Sequence, residues 1–224
     1  MSSDSDLTIR KKRHAAEAAL PMIQPDEILG MGTGTTVGVL IELLVQHRLP
    51  IRGAISSSEA TTTALQRAGV PVVDLNEVAD VPLYIDGADE LTQHGFLIKG
   101  GGGAMTREKI LATASRRFVC IAEDDKLTPV LGRSHPVPVE VLPMARSFIA
   151  RRLVGMGASV SLRRGLSDNG NPILDCSRLD LGNPLTVEQT INNLPGVVGC
   201  GIFAMRRPDL ILLGTADGVG RFPA

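Results

Sequence analysis

Three short segments carry residue types that can do chemistry. In the first, Lys99 is followed by four consecutive glycines, Gly100 to Gly103, and then by Ala104-Met105-Thr106-Arg107-Glu108-Lys109. A run of glycines loses much conformational freedom on folding, and a surface linker beside the apolar Phe96-Leu97-Ile98 would not need it. A functional loop is the better explanation, one that lets a ligand touch backbone N–H groups next to the Lys99 ammonium. Glu108 falls in the first turn of the helix expected after the loop, where the helix dipole by itself favours an acid.

The second segment is Asp86-Gly87-Ala88-Asp89-Glu90, after the apolar Leu83-Tyr84-Ile85. Two carboxylates at the end of a strand can bind Mg²⁺, move protons or cap the next helix, and the pattern leaves all three open. Gly87, Ala88 and Asp89 add little bulk, so a ligand can approach the backbone. The third segment, Gly32-Thr33-Gly34-Thr35-Thr36, offers N–H groups and three hydroxyls at a helix start. Such a loop holds a phosphate or a polyhydroxylated sugar without a basic patch. It matches neither the six-residue dinucleotide fingerprint nor the lysine-containing nucleotide loop, and a tight strand-to-helix turn explains its glycines equally well.

These segments need elements to hold them. A helical pattern runs from Asp6, its expected N-cap, to Leu20. Strands are expected at Ile28 to Met31, Gly53 to Ile55, Val70 to Asp74, Leu83 to Ile85 and Phe118 to Ala122. Helices are expected at Val37 to Gln46, Glu59 to Ala68 (capped by Ser57 or Ser58) and from the N-cap Thr106 to Ala114. Strand and helix in alternation predict a doubly wound, mostly parallel, Rossmann-like sheet, with ligands beyond the carboxyl ends of its strands. All three segments fall there. Pro129, Pro136, Pro138 and Pro143 then mark a boundary. Beyond it come strand (Pro138 to Val141), helix (Ala145 to Met156), strand (Ala158 to Arg163), a turn at Asp168-Asn169-Gly170-Asn171, strand (Ile173 to Cys176), helix (Leu185 to Leu194) and strand (Val197 to Phe203). That order predicts a smaller α+β, ferredoxin-like domain. Leu210 to Leu213 is expected to return to the first sheet. The domains expected are residues 1–130 plus 205–224, and 131–204.

Composition narrows the function. The 23 Lys and Arg against 24 Asp and Glu leave a net charge of −1, so nothing in the bulk charge draws the chain to nucleic acid or an anionic membrane. Aromatic residues make up 3% of the chain, too few for base-stacking surfaces. With 43% hydrophobic residues in 224, a sizeable core is expected, and the disordered class is excluded. Cys120, Cys176 and Cys200 sit in apolar stretches without metal-ligand spacing, which suits a reducing cytoplasm. The polar, acidic Ser2-Ser3-Asp4-Ser5-Asp6 does not read as a secretory signal, and the apolar run Leu29 to Val45 is too interrupted to span a membrane.

Taken together, Gly30-Met31-Gly32-Thr33-Gly34-Thr35-Thr36, Leu83-Tyr84-Ile85-Asp86-Gly87-Ala88-Asp89-Glu90, Ile98-Lys99-Gly100-Gly101-Gly102 and Thr106-Arg107-Glu108-Lys109 resemble the signature segments of the type A ribose-5-phosphate isomerases. The likeness extends to Ser56-Ser57-Ser58, Asp74-Leu75-Asn76-Glu77-Val78, Pro138-Val139-Glu140-Val141, Asp168-Asn169-Gly170-Asn171 and Gly214-Thr215-Ala216-Asp217-Gly218-Val219, in the same order along nearly the whole chain. Thr35 replaces a common Ser and keeps the hydroxyl. Gly103 replaces a common Ala and loosens the loop.

The resemblance implies an aldose-ketose isomerase of the non-oxidative pentose phosphate pathway, interconverting D-ribose 5-phosphate and D-ribulose 5-phosphate through an ene-diolate. Glu108 is then the base. Lys99 and the N–H groups of Gly100, Gly101 and Gly102 stabilise the oxyanion, and Asp86 and Asp89 handle hydroxyl protons and ring opening, with Gly87 and Ala88 lining the substrate. Thr33, Gly34, Thr35, Thr36 and Lys126 hold the phosphate. No cofactor and no metal are expected, because the Lys99 ammonium stands where a cation would otherwise be needed. The partner is a small sugar phosphate, and a homo-oligomer, dimer or tetramer, is implied. A sugar-phosphate sensor and a coenzyme A transferase are the rival readings; turnover separates the first, and trapping of a covalent thioester the second.

Overall fold

The computed structural model describes residues 2–223, with side chains described from residue 5; the expected domain ends at 1 and 224 lie outside. The elements run α1 (Ser2–Ala19), β1 (Ile28–Met31), α2 (Thr35–Gln46), β2 (Gly53–Ser56), α3 (Glu59–Arg67), β3 (Val81–Asp86), β4 (Glu90–Leu91), β5 (Leu97–Ile98), α4 (Met105–Ala114) and β6 (Ser115–Glu123). There follow β7 (Val137–Val141), α5 (Arg146–Gly155), β8 (Ser159–Leu166), β9 (Pro172–Ser177), α6 (Pro184–Asn192), β10 (Val197–Cys200), β11 (Ile202–Phe203), β12 (Leu210–Gly214) and β13 (Val219–Pro223). Two compact units emerge: one takes the chain as far as Ala88, Ile110–Lys126 and the segment from Pro208, the other Asp89–Lys109 and Leu127–Arg207.

The first unit is α/β. Its sheet has the order β13-β12-β6-β3-β1-β2, parallel throughout except for the edge hairpin of β12 and β13. Ile28–Met31 is buried at every position, as a parallel strand covered on both faces must be. From β1 the chain steps one way to β2 and then returns to the other side for β3. The strand order therefore reverses between β1 and β3, where an open sheet forms its ligand crevice. The core joins Leu29, Met31, Leu83, Ile85 and Val119 of the strands to Ala15, Ala19, Val37 and Leu40 of the helices.

The second unit carries a four-stranded antiparallel sheet in the order β10-β7-β9-β8. With α5 and α6 as the crossovers this is the ferredoxin-like arrangement. A small antiparallel sheet, β11-β5-β4, belongs to the same unit. Ile98, Val139, Ile149, Leu174, Ile191 and Ile202 share its core.

Several elements differ from expectation. Val70 to Asp74 forms no strand but a single parallel bridge, Ala54 to Val72, because Pro71 has no N–H to extend a ladder. Helix α1 begins at Ser2 rather than after Asp6, since a first turn tolerates Ser and Asp. Thr106 does not cap α4 but lies inside it, its hydroxyl turned to Glu140. The strand expected over Val197 to Phe203 divides at Gly201, where the chain leaves one sheet for the other; a Cβ there would stand 2.2 Å from the Lys99 carbonyl. β13 was not foreseen, because its residues are mostly exposed and carry no alternation. A boundary near 130 would also leave Asp89–Lys109 in the first domain, whereas it groups with the second unit, where β4 and β5 find their pairing partner in β11.

Candidate active site

The first unit presents the loop after β1 and the end of β3. Asp86 is fully buried. Its Oδ1 accepts from the N–H of Thr33 at 3.0 Å and of Gly87 at 2.7 Å, and Tyr84 Oη donates to its Oδ2. Gly32 exists because of this carboxylate: a Cβ would fall 1.9 Å from Asp86 Oδ1. The loop is held from the other side too. Thr61 Oγ1 donates to the Gly32 carbonyl at 2.8 Å and Ser58 Oγ to Thr33 Oγ1 at 2.9 Å.

Gly34 opens α2 with φ +104° and gives the helix no side-chain cap, in contrast to α3, whose Ser58 hydroxyl accepts from the Thr61 N–H. The first N–H groups of α2 thus form a ready anion site. Gly34 and Thr35 are exposed and Thr33 half-buried. Thr36 is turned inward, its hydroxyl donating to Glu123 Oε2 at 3.0 Å. Lys126 closes the short turn after β6, and Gly87 and Ala88 are half-buried beyond β3. The structure adds a cation absent from the sequence-based candidates: Lys12 Nζ lies 3.7 Å from Glu123 Oε1, on the carboxylate that also holds Thr36. Nothing in the helical spacing of α1 marks this lysine.

The second unit presents the rest. Lys99 and Glu108 are each 2% exposed, and Lys99 Nζ donates to Glu108 Oε1 at 3.2 Å. Between them the backbone turns at Gly100 (φ +99°) and closes with the Gly103 N–H on the Gly100 carbonyl at 3.0 Å. Asp89 is half-buried, and its Oδ2 accepts from the Gly101 N–H at 2.8 Å. Gly101 and Gly102 are exposed. The next residue, Glu90, is buried and accepts from the N–H groups of Gly132, Arg133, Ser134 and His135. Burial pushes this carboxyl up, but the N–H groups of Ser134, His135 and Gly132 outweigh it and hold the group below its ordinary range.

The candidate residues therefore fall into two groups. Thr33 to Thr36, Asp86, Gly87, Ala88 and Lys126 lie in the first unit; Asp89, Lys99, Gly100 to Gly102 and Glu108 lie in the second. Burial pushes the Cys176 thiol up to about 12 and raises that of Cys200 as well. Among the described residues no group of three His, Cys, Asp or Glu side chains is placed to hold a metal ion. No helix among them is long and apolar enough to cross a membrane.

An open α/β sheet with an uncapped helix start at its switch point, and a buried lysine-glutamate pair on a glycine loop, define a protein equipped to bind an anionic metabolite and to move protons. Comparison with known proteins makes the class specific. The family model for ribose 5-phosphate isomerase A (phosphoriboisomerase A) matches residues 53–218. Ribose-5-phosphate isomerase A of Acidithiobacillus ferrooxidans is 54% identical over 209 residues, covering 93% of this chain and 95% of that protein. The crystal structure of ribose 5 phosphate isomerase A from Neisseria gonorrhoeae matches with a TM-score of 0.92 at 44% identity, over 95% of each chain. A D-ribose-5-phosphate isomerase solved in complex with phospho-erythronic acid matches at 0.90 and 33% identity, over 95% of this chain and 97% of that one. The chain belongs to the ribose 5-phosphate isomerase A family.

Proposed function

We propose that this chain interconverts D-ribose 5-phosphate and D-ribulose 5-phosphate through an ene-diolate. Beyond family membership, the observation that carries this reading is the buried Lys99–Glu108 pair at the two ends of the glycine loop. In the open-chain aldose, Glu108 takes the proton from C2, the electron pair forms a C1–C2 double bond, and the charge passes to O1. Lys99 and the loop N–H groups stabilise that oxyanion. The proton returns to C1, the O2 hydroxyl gives up its proton, O1 gains one, and the ketose results. Half-buried Asp89 handles the hydroxyl protons. Asp86 is proposed to act differently, since its full burial and committed oxygens suit the shaping of the phosphate loop rather than contact with the sugar.

The phosphate is proposed to sit on the start of α2, at Thr33, Gly34 and Thr35, with Lys126 as a counter-charge. Thr36 contributes its backbone, its hydroxyl being spent on Glu123. In this route the ammonium does the work of a metal ion. Dialysis against EDTA should leave the rate unchanged; loss with the chelator and recovery with Mg²⁺ would make Asp86 and Asp89 metal ligands instead. The chain is further proposed to work in the cytoplasm, which its three buried free thiols suit, and to form a homo-oligomer. Leu142, Met144, Phe148 and Val154, exposed on and beside α5, supply apolar surface for such a contact. The deciding test is incubation of purified protein with ribose 5-phosphate: ribulose 5-phosphate should accumulate to an equilibrium mixture, and its absence would overturn the assignment.

A further inference from the structure

The glycine loop is held from behind by a residue outside the signature segments. Arg163, on β8, donates from Nη1 to the carbonyls of Gly100 at 2.8 Å and Gly101 at 3.1 Å. Its other edge is engaged by Asp175 of β9, with Nε to Oδ2 at 2.9 Å and Nη2 to Oδ1 at 2.5 Å. Both side chains are largely buried, at 19% and 16% exposure, so this fork-to-fork pair is shielded from solvent and fixed in orientation. Ordinary strand alternation places the arginine: Ser161 pairs with Asp175, and Arg163, two positions on, shares that face. Beyond Leu162, which pairs with Leu174, the ladder slips until Leu166 meets Pro172.

Peptide geometry turns this contact into a functional statement. In a trans peptide the C=O of one residue and the N–H of the next point in opposite directions. Because the Gly100 and Gly101 carbonyls both face the guanidinium, the N–H groups of Gly101 and Gly102 face away from it. The Gly101 N–H indeed reaches Asp89 Oδ2 at 2.8 Å on that far side. Neither residue is constrained by a side chain, and Gly102 has open space about its Cα. Without the arginine, the Gly100–Gly101 peptide would keep only Asp89 and the Gly103 N–H, and the Gly101–Gly102 peptide would be free to flip and to present a carbonyl oxygen where a donor is needed.

We propose that Arg163, braced by Asp175, is a positioning residue for the isomerisation: it sets the polarity of the two glycine peptides so that one N–H holds Asp89 and the other faces the developing oxyanion. The inference rests on the isomerase reading above. Turnover of ribose 5-phosphate by the unaltered protein tests that reading separately. Given that turnover, Arg163→Ala should lower kcat about 10- to 100-fold, below or at the lower edge of the ~10²–10³ lost when an oxyanion donor is removed outright. KM should change less than threefold, because the phosphate contacts lie elsewhere. Arg163→Lys, which keeps the charge but not the fork, should recover only a small part of the loss. Binding provides a second readout. Phospho-erythronic acid, whose carboxylate places an anion at the end of a short sugar chain, should bind Arg163→Ala at least tenfold more weakly, while inorganic phosphate binds as before. Arg164→Ala, an equal loss of charge at the exposed neighbouring position, should leave both values unchanged. A folded Arg163→Ala protein, by circular dichroism, that retained kcat and phospho-erythronic acid affinity would overturn the proposal. So would full rescue by lysine, which would reduce Arg163 to a point charge.

Discussion

The two glycine loops are built on one scheme and finished differently. Each follows a buried strand, leads toward a helix and gives a backbone N–H to an aspartate: Thr33 to Asp86 in the first unit, Gly101 to Asp89 in the second. In the first loop the aspartate is sealed, Gly32 is packed against it and Thr61 grips the loop carbonyl. In the second the aspartate is half-buried, Gly101 and Gly102 are exposed, and the loop is gripped through its carbonyls by an arginine. The difference teaches a division of labour. A loop with its carboxylate locked away matches its proposed role as a cradle for a phosphate that does not change during the reaction. A loop flanked by a lysine-glutamate pair, with amides left on the surface, suits charge that appears only in the transition state.

That division is tested most strongly at the second loop. Glu108→Gln keeps the shape of the side chain and removes the proposed base, so kcat should fall by ~10²–10⁴. Lys99→Ala should lower kcat by ~10²–10³, with KM nearly unchanged. Both changes break the buried Lys99–Glu108 ion pair, so each rate is to be taken per folded molecule, with a urea titration alongside. A Gln variant that kept most of its turnover would remove Glu108 as the proton carrier. A defect of Lys99→Ala confined to KM would move the lysine to the ground-state side of the comparison.

The first loop should respond in stability before rate. Gly32→Ala would drive a Cβ into Asp86, to 1.9 Å from its Oδ1, 2.0 Å from its Cγ and 2.4 Å from its Cβ, so no turn of the carboxylate relieves the clash. The hydrogen bonds to Thr33, Gly87 and Tyr84 would be disturbed inside the core, at a cost of about 3 kcal/mol or more in urea unfolding. A loss below 1 kcal/mol would mean that this loop is as loose as the other.

Much of this was legible in the chain. The strand at Ile28 to Met31 followed from an unbroken apolar run, and a cap at Ser57 or Ser58 from the serines ahead of a helical period; Ser58 is the one that serves. The chemical segments stood out because glycine and carboxylate clusters at strand ends are rarely needed for packing alone. What stayed hidden was set by distant partners. No local pattern shows that Asp86 is enclosed while Asp89 three positions later is not; that follows from Tyr84 and the loop after β1 closing over one of them. Thr36 looked like a ligand hydroxyl until Glu123, 87 positions away, took it. Arg163 lies in a strand of mixed character, and only the partners it finds, Asp175 on the neighbouring strand and a carbonyl 63 positions away at Gly100, show what it holds.

A milder test of the cradle is Lys126→Ala. A charged contact to a phosphate oxygen is worth about 1.5–3 kcal/mol, so KM for ribose 5-phosphate should rise about 10- to 100-fold while kcat stays within threefold. Free ribose should be handled as before. Equal weakening of both sugars would take Lys126 out of the phosphate site, and a fall in kcat alone would break the separation between a binding loop and a reacting loop.

The smallest effect is expected at Gly102, and it sharpens the comparison most directly because the same substitution at Gly32 should be so costly. A Cβ at Gly102 meets nothing within 4 Å, and its backbone lies outside the left-handed region that Gly100 and Gly103 occupy. Alanine therefore fits without strain, and by narrowing the unfolded ensemble it should leave stability unchanged or raise it by about 0.4–1 kcal/mol. The added methyl stands beside the amide proposed to face the oxyanion, so kcat/KM should fall, but by less than about tenfold, since the N–H itself remains. Thermal melting and steady-state rates on the one variant check both halves. If Gly102→Ala cost more than 1 kcal/mol, the second loop would be packed in the manner of the first, and the contrast between a sealed cradle and an open amide loop would not hold.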